Sequence, residues 1–79
     1  MCACNALEER KYLINLRKEL SGLKGQIFFE KLANAKQIIW ISGETADKYN
    51  ELIRHYRFKA GSDEQRQEFN RVLAQLILG

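Results

Sequence analysis

The stretch Ile38-Ile39-Trp40-Ile41 decides the fold class of this 79-residue chain. Consecutive bulky residues, mostly β-branched, fit a buried strand as well as the end of a helix. A lone strand, however, leaves its backbone N–H and C=O groups without partners. No second run of strand character exists elsewhere, so the helical reading is preferred. It extends a helix from Gln26 to Ile41, with Phe28, Leu32, Ala35 and Ile39 on one stripe. The fold class expected is all-α, with three or four short helices packed as antiparallel hairpins. The alternative is an α+β fold with a strand at 37–41.

Outward from that stretch the punctuation is clearer. Residues 1–5 read as a short flexible tail, and residues 6–79 as one helical domain. A first helix runs from about Ala6 to Leu20. Its apolar positions continue as Leu13, Leu16, Leu20, Leu23 and Ile27, at the 3-4-3-4 spacing of a heptad seam. Gly22 and Gly25 interrupt that segment, each disfavoured inside a helix by about 0.5–1 kcal/mol against alanine. After Gly43 a third helix carries Ala46, Tyr49, Ile53 and Tyr56, with Ser42 or Thr45 as its cap. It should end near Phe58 to Gly61, with Gly61 in the left-handed position. Ser62-Asp63-Glu64-Gln65 is a capping box opening a last helix with Phe69, Val72, Leu73, Leu76 and Ile77 inward. The core expected is Leu13, Leu16, Leu20, Leu23, Ile27, Phe28, Leu32, Ile39, Trp40, Tyr49, Ile53, Phe69, Val72, Leu73 and Leu76.

Composition narrows the function classes. The hydrophobic fraction of 46% suits a folded domain rather than a disordered one. Residues 1–40 carry seven basic and four acidic side chains, and the remainder is balanced, so the net +3 is N-terminal and mild. It permits contact with nucleic acid but does not demand it. No apolar run approaches the roughly 20 residues of a membrane span, and the N-terminus lacks a secretory signal. A cytoplasmic location and no membrane contact are therefore expected.

Chemistry-bearing residues are few. Cys2 and Cys4 could supply half of a zinc site, but a closed site needs four ligands and His55 is the one other strong candidate. No nucleophile stands beside an oriented base in any recognisable motif. Neither an enzyme nor a cofactor is expected. Arg54, Arg57 and Lys59 alternate with aromatic residues and, with Lys24, form a candidate anion or nucleic-acid contact.

Gly22-Leu23-Lys24-Gly25 resembles the GxxG loop of K-homology (KH) domains, with Ile38 to Gly43 and the following helix resembling the last strand and helix of that family. The resemblance implies a clamp on a nucleic-acid backbone. The family needs three strands, and only one is arguable here. Tyr12-Leu13 with Leu16-Arg17-Lys18, and Glu51-Leu52-Ile53 with Tyr56-Arg57, are similar to pieces of the Hha family of nucleoid-associated modulators. That family's tryptophan-containing C-terminal end is missing.

The function expected is a non-enzymatic binding, adaptor or inhibitor-type regulatory protein acting through a helix face. A core this small supplies only about 3–5 kcal/mol, which favours self-association. The partners expected are a second copy of the chain and another protein. The interface assigned is Leu13, Leu16, Leu20, Leu23, Ile27 and Trp40. A nucleic-acid-binding regulator is the first alternative. A small-ligand sponge with an inter-subunit pocket near Trp40 or Tyr56 is the second.

Overall fold

A computed structural model describes residues 4–79 and contains four helices: α1 (Cys4–Leu20), α2 (Gly25–Ala33), α3 (Glu44–Tyr56) and α4 (Asp63–Leu78). There is no strand among the described residues, so the all-α expectation holds. The strand at 37–41 and the KH-like arrangement do not.

Helix α4 is the centre of the bundle, with α1 and α3 packed along it. Both run antiparallel to it. The start of α3 meets the end of α4, where Thr45 and Gln75 line one depression, and Lys48 faces Glu68 at 4.0 Å. Leu7 near the start of α1 lies beside Leu76 and Gly79. Helix α2 closes one end of the core. Its Phe28 and Phe29 meet edge to face at 5.0 Å, Phe29 reaches Tyr56 at 4.9 Å, and Tyr49 reaches Phe69 at 5.6 Å.

The helix ends follow local chemistry. Helix α1 stops where Gly22 turns left-handed (φ 81°), a conformation that costs a residue with a side chain. The capping box at α4 forms as expected. The Ser62 hydroxyl accepts from the Gln65 N–H at 3.2 Å, and the Ser62 N–H donates to Gln65 Oε1 at 2.8 Å. Helix α3 departs from expectation, because Gly43 occupies the cap position with no side-chain hydrogen bond, rather than Ser42 or Thr45. It ends at Tyr56, before Phe58. Gly61 is not left-handed; it is required by close approach. A Cβ there would lie 2.7 Å from the Tyr56 ring and 3.1 Å from Phe29. At the N-terminus Cys4 and Asn5 belong to α1 rather than to a tail, and residues 1–3, Cys2 among them, lie outside the described residues.

The larger correction concerns α2. It ends at Ala33 instead of Ile41, with Asn34 capping it and donating from Nδ2 to the Glu30 carbonyl at 3.3 Å. Residues 34–43 form a linker that is neither helix nor strand. The change of backbone resets the side-chain pattern. Ile38 is buried at 3% exposure, whereas Ile39 is 76% exposed and Trp40 45%. Ile39 and Trp40 are therefore not core residues. Ile27 also leaves the core, at 63% exposure, and Leu23 packs against it only in part, because the heptad seam does not continue through the Gly22–Gly25 turn, where the chain changes direction. Phe29, Ala35, Ile38, Ala46, Leu52 and Tyr56 complete the core instead.

Replacing Gly61 with alanine forces the Tyr56 and Phe29 rings to shift, a local overpacking that costs about 1–3 kcal/mol. Thermal unfolding should show Tm lowered by roughly 4–8 °C for each kcal/mol in a domain of this size.

Candidate functional site

The linker is held by side chains from the helices on either side. A backbone outside both helix and sheet exposes N–H and C=O groups that must find partners. Helix α1 supplies the Glu9 carboxylate. One oxygen accepts from the Ile39 N–H at 2.7 Å, and the other accepts from Trp40 and Ile41 at 2.8 and 2.9 Å. Three successive amides converging on one carboxylate form charge-assisted hydrogen bonds. Helix α3 supplies Asn50, whose Oδ1 accepts from the Ile38 N–H while its Nδ2 donates to the Ile38 carbonyl, both at 2.8 Å. This amide does for one residue what a neighbouring strand does in a sheet.

Two tyrosines grip the Lys36 residue in the same way. Tyr12 accepts from the Lys36 N–H at 2.7 Å, and the Tyr49 hydroxyl donates to its carbonyl at 2.8 Å. Burial drives the Tyr49 phenol well above its ordinary ionisation range, and the adjacent Tyr12 hydroxyl and Glu9 carboxylate push the same way. Tyr56 is raised as well, by burial and then by Glu68. No buried side-chain polar atom among the described residues lacks a hydrogen-bond partner.

On this fixed backbone Ile39 and Trp40 stand out from the surface. Beside them lies a shallow groove of about 290 Å³ lined by Asn5, Glu8, Tyr12 and Lys36. On the far side of α1 a second groove of about 450 Å³ runs between Leu7, Arg10, Ile41 and Leu76.

The expected interface residues separate into two groups. Leu13, Leu16 and Leu20 are enclosed in the chain's own core and offer nothing to a partner in this conformation. Leu23 packs partly against that core, while Ile27 and Trp40 are exposed. Among the candidate anion contacts, Lys24, Arg54, Arg57 and Lys59 are all exposed. Arg57 and Lys59 line a small apolar depression with Phe29 and Tyr56. Lys24 sits close enough to Asp63 to help lower that carboxyl, after the larger effect of the Arg66 hydrogen bond at 2.7 Å. His55 is exposed and meets the Tyr56 ring edge-on at 4.9 Å. Tyr56 is buried. Among the described residues no group of three or more His, Cys, Asp or Glu side chains comes together. No helix of the described residues is long and apolar enough to cross a membrane.

The structure adds two features that sequence reasoning missed. One is the Glu9–Asn50 clamp, whose members carry no local signal of their role. The other is the outward face of α1, where Arg10, Lys11, Arg17 and Lys18 are all exposed. Their recurrence as two Arg-Lys pairs seven residues apart is visible in the sequence. No protein-family model matches the chain, and no curated protein or solved structure matches it either.

The tyrosines give a pH dependence. A phenol whose folded-state ionisation lies above its unfolded value of 10.0 keeps its proton in the folded chain while the unfolded chain loses it. Stability is thus unaffected by these groups below that pH and falls as pH rises beyond it. Urea unfolding at a series of alkaline pH values should show this decline, and Tyr49→Phe should make it shallower.

Proposed function

We propose that this chain is a non-enzymatic binding protein of the regulatory or inhibitor type, working as a homo-oligomer joined through Ile39 and Trp40. The observation that carries this reading is their exposure, 76% and 45%, on a backbone fixed by Glu9. A large aromatic side chain held ready on a rigid loop has little ordering entropy left to lose on binding, and such anchors dominate interface energetics.

A second copy is the occupant best matched to this surface. The Ile39–Trp40 ridge lies directly beside the groove formed by Asn5, Glu8 and Tyr12. A two-fold axis through that face would set the ridge of one protomer against the groove of the other. An ordinary interface covers about 800 Å² of each partner. The protomer exposes 5345 Å², so such a contact leaves most of the surface open for a further partner. The helix seam does not serve this purpose, since its first three leucines are used internally.

Sedimentation velocity over a micromolar concentration series should reveal a monomer–oligomer equilibrium. Ile39→Ser and Trp40→Ala should each weaken it by about 10-fold or more, the equivalent of losing about 1.5–3 kcal/mol of apolar burial. Because both residues are exposed in the protomer, its Tm should change little. A chain that stays monomeric throughout the series contradicts this reading.

A further inference from the structure

We infer that the outward face of α1 is a docking surface for the phosphate backbone of duplex DNA, independent of the Ile39–Trp40 contact. The inference starts from how charge is divided around this helix. Its inward positions, Leu13, Leu16 and Leu20, are buried. Its acidic residues all lie on the flank toward the linker and α2. Glu9 is bound to the linker amides, Glu19 pairs with Lys31 at 3.5 Å, and Glu8 lines the groove beside Trp40. The remaining face consists of Leu7, Arg10, Lys11, Ile14, Arg17, Lys18 and Ser21, which recur at helical i, i+3, i+4, i+7 spacing.

Every basic residue of α1 is on that face, and every one is exposed. None takes part in the ion pairs of the described residues, which join Lys31 to Glu19, Lys48 to Glu68 and Arg66 to Asp63. The four cations form two adjacent pairs. Seven residues of helix separate the pairs by about 10.5 Å, close to the axial rise of about three nucleotides along one strand. The helix therefore presents two columns of positive charge, Arg10 with Arg17 and Lys11 with Lys18, whose spacing along the axis suits a rigid, regularly charged polymer.

The composition of the face selects duplex DNA over other polyanions. Single-strand binders add aromatic platforms for base stacking, and this face has no aromatic residue. A helix lying in an anionic membrane surface needs a broad apolar face. Here Leu7 and Ile14 are two isolated apolar residues among cations, 54% and 36% exposed. With phosphate contacts only, binding is independent of base sequence.

Fluorescence anisotropy with the full chain and a labelled mixed-sequence duplex, over a range of salt concentrations, tests this. Affinity should fall steeply with salt, each neutralised phosphate contributing about 0.9 to the slope of log K against log salt. A second duplex of scrambled sequence should bind equally well. Lys11→Gln with Lys18→Gln removes two of the four cations and should halve the slope. The halving is expected for a monomer and an oligomer alike, so failure of the self-association reading does not affect it. Circular dichroism melting confirms that the variant folds. An unchanged slope in this variant, with a reduced slope in Arg54→Gln/Arg57→Gln/Lys59→Gln, would move the site to the α3 end and overturn the proposal. So would absence of DNA binding at low salt, or binding to vesicles of phosphatidylserine and phosphatidylcholine without binding to DNA.

Discussion

The fold depends on one constraint: a ten-residue connection must cross from α2 to α3 without helix, without a sheet, and without abandoning its backbone polar groups. Side chains meet that constraint. Glu9 takes three amides, Asn50 pairs with both polar groups of Ile38, and Tyr12 and Tyr49 take the two of Lys36. The same contacts tie α1 to α3 through the linker, although those helices are arranged mainly around α4. Because the linker is held at its backbone, its side chains are free to divide. Ile38 points into the core and Ile39 and Trp40 do not. The exposed ridge is thus a consequence of how the linker is anchored rather than a failure of packing.

The sequence was legible wherever a signal and its partner lie close together. Ser62 and Gln65 are three residues apart, so the start of α4 is marked by local spacing alone. The inward stripes of α3 and α4 follow from helical spacing alone. The linker was not legible, because its partners at positions 9, 12, 49 and 50 are distant in sequence and none belongs to a motif. Local pattern offers two states for Ile38 to Ile41: helix, whose backbone satisfies itself, and strand, whose backbone needs a neighbour. An irregular segment, bent at residues 39–41 and served by helix side chains, is a third solution, and only the tertiary structure displays it. The heptad seam failed for a related reason. Leu13, Leu16 and Leu20 share a face, but after the left-handed turn Leu23 packs on the core only in part and Ile27 points to the surface.

Helix α1 is where stability and recognition meet. Around its circumference Leu13, Leu16 and Leu20 face the core, the acidic positions lie toward the linker and α2, and the basic positions face outward. Gathering the acids on one flank leaves the cations without internal competitors on the other. The arrangement gives the chain two distinct surfaces on one rigid element, an apolar ridge and a cationic face. Neither surface contributes to the core, so each can be altered without unfolding the domain.

The clamp on the linker is tested most directly by amide hydrogen exchange followed by NMR. If Glu9 and Asn50 hold the linker as described, the amides of Ile38, Ile39, Trp40 and Ile41 should exchange slowly despite lying outside any helix. Their Cα chemical shifts should not continue the helical run that ends at Ala33, and Glu9→Ala should bring fast exchange to residues 39–41 while Ile38 remains protected. Exchange at the rate of an unstructured chain in the unaltered protein, or helical shifts continuing from Ala33 through Ile41, would contradict the account.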